Sequence, residues 1–144
     1  MNDIIIRLAR EEDYQELMKL YGIFTESDRF ATAGNDGFKK FLDNPRNSMF
    51  VAESFGKIIG FATFSARDVV RYARPIAELE ELFVLEEYRK QGIGKLLILE
   101  VEKKASAMNC QRMYLESAVE RKPAHAFYES LGYEKYGVAF KKEL

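Results

Sequence analysis

Residues 89–95, Arg-Lys-Gln-Gly-Ile-Gly-Lys, set two glycines one residue apart among three cations, between a β-rich run and a helix-like run. Such a junction can hold an anion. Glycine lets backbone N–H groups approach a ligand and takes positive φ at little steric cost. The first turn of the following helix presents N–H groups without intrahelical acceptors, at the positive end of the helix dipole. Arg89, Lys90 and Lys95 add full positive charge. Taken alone, the stretch also admits a plain turn. It lacks the third glycine of the dinucleotide fingerprint, and it is not GxxxxGK followed by Ser or Thr, which disfavours a nucleoside-triphosphatase loop.

Other groups with chemistry cluster around it. Glu78, Glu80 and Glu81 lie on the strand before the turn; at period two, Glu78 and Glu80 share one face and Glu81 takes the other. His125, the sole histidine, lies one helical turn before Tyr128, so the two can share a face. Cys110, the sole cysteine, sits between Asn109 and Gln111 and reads as a small buried hydrophobe without a nucleophile signature. No cluster has metal-ligand spacing, so no metal is expected.

The elements that must carry these groups follow from periodicity. Residues 3–8 read as a strand. Residues 11–24 read as a helix, with Tyr14, Leu17, Met18 and Tyr21 at helical spacing and three acids at its start. Asp36 suits the cap of a short helix through Phe38, Phe41 and Leu42, which Asn44-Pro45 ends. Strands at 48–53 and 57–66 meet at Ser54-Phe55-Gly56 in a hairpin, and 67–75 is a loop. A strand at 78–87 leads into the glycine turn. The helix at 94–108 places Leu96, Leu97, Val101, Ala105 and Met108 on one side. A strand at 112–117 and a helix at 123–131 follow, the latter opened by Pro123 and closed by Gly132. Residues 133–142 supply one or two closing strands. This pattern is an α/β (α+β) domain with a mixed sheet, one domain spanning residues 1–144.

Composition bounds the function. The 144 residues carry 22 Lys and Arg against 23 Asp and Glu, a net charge of −1, which argues against non-specific nucleic-acid binding. One cysteine cannot form an intramolecular disulfide. The start lacks the apolar length of a signal peptide, and no stretch of ~18 apolar residues occurs, so no membrane partner and a cytoplasmic location are expected.

Residues 79–98, LEELFVLEEYRKQGIGKLLI, resemble the signature segment of the GNAT superfamily of acetyl-CoA-dependent N-acetyltransferases. The family pattern, Arg or Gln, x, x, Gly, x, Gly or Ala, is met by Arg89, Lys90, Gln91, Gly92, Ile93 and Gly94. A second block, AHAFYESLGYE at 124–134, is similar to the family's later FY and LGY segment, in the family's order. The resemblance implies the GNAT fold: a mixed sheet of six or seven strands, splayed at the cofactor site and flanked by about four helices.

It also implies roles. Backbone amides of Gln91 to Lys95 would hold the pyrophosphate of acetyl-CoA, with Arg89 and Lys90 beside them. Leu82, Phe83 and Val84 would run along the pantetheine arm, and a free N–H there can stabilise an oxyanion. An alkyl ammonium of pKa about 10.4 must lose a proton before it attacks the thioester, and a carboxylate is the usual base. Glu80 ranks first, then Glu81, then Glu78; solvated charges or an ammonium-binding set are the plainer alternatives. Tyr128 matches the family tyrosine that protonates the departing thiolate and touches the cofactor. Glu78 and Glu80 could hold the substrate, and His125 could orient it, act as a base or touch the cofactor, a surface or packing histidine being the plainer reading. Many relatives have Asn seven residues before the motif tyrosine; here Arg121 stands there and could reach a phosphate.

The resemblance implies a primary amine as acceptor, a small molecule first and a peptide or protein second; a non-catalytic acyl-CoA-binding regulator on the same scaffold is the alternative. The family's habit of pairing through C-terminal strands implies a homodimer, with Tyr133, Tyr136 and Phe140 compatible with it.

Overall fold

The computed structural model describes residues 3–25 and 34–144. The chain divides into two units, Met1–Tyr114 and Leu115–Leu144.

The first unit opens with β1 (Ile4–Leu8), a 3-10 turn at Glu11–Asp13, and α1 (Tyr14–Thr25). Next come α2 (Gly34–Asp43), β2 (Asn47–Ser54), β3 (Lys57–Arg67) and β4 (Ile76–Val84). After β4 lie a 3-10 turn at Glu86–Tyr88 and α3 (Ile93–Ala107); β5 (Met113–Leu115) runs into the second unit. The strands are ordered β1-β2-β3-β4-β5, and the first four are antiparallel neighbours. A helical crossover joins β4 to β5, the connection of a parallel pair, so the sheet is mixed. Its near end is tied where Gln111 N–H donates to Pro75 O at 2.8 Å and Ala77 N–H donates to Arg112 O at 2.9 Å.

β2 and β3 form a two-residue hairpin in which Phe55 and Gly56 both take positive φ, 48° and 80°, as a type I′ turn requires. β3 is buried without a break from Ile58 to Phe64 because both of its faces are covered. α3 packs on β2, β3 and β4 through Ile93, Leu97, Ile98, Val101 and Ala105. The expected apolar side of this helix is corrected at two positions: Leu96 is 42 % exposed, Met108 lies just past the helix, and Ile93 and Ile98 take their place in the core.

α1 is fastened by charge as well as packing. Arg7 grips Asp13 with two guanidinium bonds of 2.8 and 3.0 Å and donates through Nε to Glu53 at 2.8 Å. Asp13 also accepts the Arg10 N–H at 2.7 Å. Further along, Glu16 accepts the Ile58 N–H at 2.7 Å, joining α1 to β3. Burial disfavours the charged form of Asp13, but the bonds from Arg7 and Arg10 outweigh it and hold the carboxyl below its usual range.

The second unit contains α4 (Lys122–Ser130), with Pro123 in its first turn and Gly132 just beyond its end at φ 93°. Three expectations are corrected. Asp36 lies inside the first turn of α2, which starts at Gly34, rather than at its cap. β4 ends at Val84, since Glu86–Tyr88 turn before the glycines. Among the described residues there are five strands, not six or seven, and four helices: residues 133–144 form no ladder. Their alternation suits a strand, but a strand needs a partner edge, and Tyr136, Val138 and Phe140 stand exposed.

Because the folded pKa of Asp13 lies below the unfolded value near ~3.9, its contribution is complete above that value and fades as pH falls through the folded one. Wild type should therefore exceed Asp13→Asn in thermal stability by a constant margin above about pH 5, and the margin should close in acid. Melting curves across pH 2–8 check this; a margin independent of pH would show that the charge of Asp13 contributes nothing.

Candidate active site

The register of β4 against β3 decides where its carboxylates point. Thr63 pairs with Glu81 and Phe64 with Leu79, so Glu80 is an extra residue without a partner on β3, a β-bulge. The bulge breaks the alternation that put Glu78 and Glu80 opposite Glu81. Thr63 Oγ1 donates to Glu81 Oε1 at 3.2 Å, Ser65 Oγ to Glu80 Oε1 at 2.7 Å, and Arg67 Nη1 to Glu78 Oε1 at 3.1 Å. Thr63, Ser65 and Arg67 are spaced by two and share one face of β3. All three glutamates therefore meet the same face, a correction to the period-two expectation.

The three differ in setting. Glu78 is half-buried and paired with Arg67. Glu80 is exposed. Glu81 is half-buried and also accepts the phenol of Tyr21, from α1, at 2.6 Å. Burial, then the charge of Glu81, push the Tyr21 pKa well above its usual value, so the phenol stays a donor. Tyr21 stacks on Phe61 with ring centroids 4.5 Å apart, and Phe24 and Phe83 complete the aromatic layer.

Past this layer, Leu82 and Val84 are half-buried and Phe83 is buried; they pair with Ala62, Gly60 and Phe61 in turn. Arg89 turns back over the strand end: its Nε donates to Val84 O at 2.8 Å, and its guanidinium lies 5.6 Å from the centre of the Phe83 ring. Lys90 takes φ 62° and Gly92 φ 80°. Lys90, Gln91 and Lys95 are exposed, Gly94 is half-buried, and the Ile93 side chain is buried in the core.

The first backbone bond of α3 runs from Leu96 N–H to Gly92 O at 3.0 Å. The N–H groups of Ile93, Gly94 and Lys95 precede it and have no intrahelical acceptor. No side chain caps this end and its first turn carries no acid. A Cβ at Gly92 would meet nothing within 4 Å, so the approach is open. These features fit a phosphate or pyrophosphate group.

In the second unit, Tyr128 is half-buried, tilted against Phe127 at 5.3 Å and edge-on to Tyr133 at 6.1 Å. Burial pushes its pKa up, while the charge of Arg121 draws it down. Arg121 stands at the N-cap of α4. His125 Nε2 donates to Ala118 O at 2.9 Å, the only role open to it against a carbonyl, which leaves Nδ1 buried and unpartnered among the described residues. His125 thus fastens α4 to the loop before it.

Sequence reasoning missed Tyr21, Thr63 and Ser65. Thr63 and Ser65 left a signal, two hydroxyls at period two inside an apolar strand; Tyr21 left none, because its spacing is that of any core residue on α1. Among the described residues, no group of three or more His, Cys, Asp or Glu could hold a metal, and no helix is long and apolar enough to cross a membrane.

The chain has relatives among known proteins. It is 28 % identical over 139 residues to an aminoalkylphosphonate N-acetyltransferase of Salmonella typhimurium, covering 96 % of this chain and 90 % of that protein. It is 33 % identical over 100 residues to an aminoglycoside N(6′)-acetyltransferase type 1 of the same species, covering 67 % and 69 %. The structure of AAC(6′)-Iy in complex with a bisubstrate analogue, CoA-S-monomethyl-acetylneamine, superposes with a TM-score of 0.86 at 26 % identity, covering 98 % of each chain. The model of the acetyltransferase (GNAT) family matches residues 8–133, most of the chain, and the protein belongs to that family.

Proposed function

We propose that this chain, as a single domain over residues 1–144, moves the acetyl group of acetyl-CoA directly to a primary amine in a ternary complex. The observation that carries the reading is one strand, β4, whose bulge gathers three glutamates on one face and whose end feeds an uncapped helix N-terminus. The carboxylates suit a cationic amine and the amide end suits a diphosphate. Acetyl-CoA supplies the activated acetyl group.

The residues divide the work. Amides from Gln91 to Lys95, with Lys90 and Lys95, hold the pyrophosphate; Arg89 braces Val84 and Phe83 beside it. Leu82 to Val84 run beside the pantetheine arm. Glu80 or Glu81 takes the ammonium proton, directly or through water, and Glu78 adds to the acidic row. Tyr128 protonates the leaving thiolate, a role that rests on the motif match, and Arg121 adds positive charge near it. A small-molecule acceptor comes first, supported by the relatives that act on aminoalkylphosphonates and aminoglycosides. The alternatives are a peptide amine and an acyl-CoA-binding regulator without turnover. The location is the cytoplasm. The chain pairs as a homodimer through its last residues, where Tyr136, Val138 and Phe140 alternate and are exposed.

Calorimetry with acetyl-CoA and thiol release over a panel of 2-aminoethylphosphonate, ethanolamine, spermidine, kanamycin and a lysine peptide test this. Binding tighter than about 1 mM, with turnover of one small amine, is expected. Gly92→Trp should abolish the binding. No binding removes the reading, and binding without turnover leaves the regulator. In the same assay Tyr128→Phe should lower kcat about tenfold or more with acetyl-CoA affinity unchanged; an unchanged kcat would end its acid role. Sedimentation equilibrium of the full chain should give a dimer, and a monomer at micromolar concentration would remove that assignment.

A further inference from the structure

The best-held carboxylate of the acid row is Glu81, and its best donor lies on another element. We propose that Tyr21, assisted by Thr63, is a positioning residue that turns Glu81 so that Oε2, and not Oε1, faces the acceptor's amino group or the water that carries its proton. This role rests on the acetyltransferase reading above.

Both hydroxyls donate to the same oxygen. Tyr21 O–H reaches Glu81 Oε1 at 2.6 Å and Thr63 Oγ1 reaches it at 3.2 Å. Among the described residues Oε2 accepts no bond. Two donors on one oxygen fix the carboxylate plane and leave the other oxygen's lone pairs in a defined direction.

The donors are themselves held. Tyr21 lies flat on Phe61, which is fully buried, and against Phe24. Thr63 is only 4 % exposed, in the centre of β3. Glu80 offers a contrast: it is exposed, and it is held by the single hydroxyl of Ser65. A group that must meet a small amine in one orientation needs its rotamer fixed before the amine arrives. Tyr21 therefore acts on the amine only through Glu81.

A double-mutant cycle tests this. Tyr21→Phe keeps the ring stack and removes the hydroxyl. With the best amine of the panel, kcat/KM should fall about tenfold or more, while the Kd for acetyl-CoA stays within about twofold, since no cofactor contact changes. In a Glu81→Gln background the same substitution should cost less than about twofold, because a residue acting through Glu81 has nothing left to act on. Equal losses in both backgrounds would make Tyr21 a folding residue only and overturn the proposal, as would an unchanged kcat/KM in the single variant. If melting curves show that Tyr21→Phe fails to fold, Thr63→Val, which removes the other donor, goes through the same cycle with the same expectation. A wild-type protein that acetylates no amine removes this role together with the acetyltransferase reading; wild-type turnover with additive losses removes the role alone.

Discussion

One extra residue in β4 governs the acidic face. Without the bulge at Glu80, alternation would put Glu81 on the face opposite Glu78 and Glu80, the buried side covered by α3. A charge buried that way costs several kcal/mol. With the bulge, Glu81 meets Thr63 and Tyr21, and Glu80 meets Ser65. β3 contributes hydroxyls at the positions where β4 contributes acids, so the two strands are matched in chemistry as well as in register.

The rest of the unit holds that face steady. α1 must stay on the sheet for Tyr21 to reach Glu81, and its start is fastened twice: by Arg7 on Asp13 just before the helix, and by Glu16, in its first turn, on the Ile58 N–H. Exposed ion pairs contribute little. The Arg7 bridge differs because Asp13 is buried and its bonds are bidentate. On the other face, α3 presents only apolar side chains to the sheet, so its N-terminus is placed by packing and its amide groups stay available.

The order of elements was legible in the sequence because each has a local cause: apolar periodicity in α1 and α3, β-branched runs in β1 and β3, Phe55-Gly56 in the hairpin, Gly92 at positive φ before α3. The glycine turn before α3 was legible for the same reason. The bulge was not, because it is a property of two paired strands and leaves no mark on one of them. Nor was the tie from Tyr21 to Glu81, between residues 60 positions apart. Arg89 reads in the sequence as a charge for a phosphate, whereas its guanidinium caps a strand carbonyl. The closing strands were expected from an alternation that is present in residues 133–142, but pairing is decided by the neighbouring backbone and not by the pattern.

That placement of Arg89 links the two ends of the site. Its guanidinium rests over Phe83; Phe83 packs on Phe24 and Phe61; Phe61 lies under Tyr21; and Tyr21 holds Glu81. The glycine turn and the Glu81 carboxylate are thus joined through a continuous series of packed rings, so the spacing between them follows from ring packing. Such a series acts as a spacer: replacing one of its rings would shift Arg89 and Glu81 relative to each other.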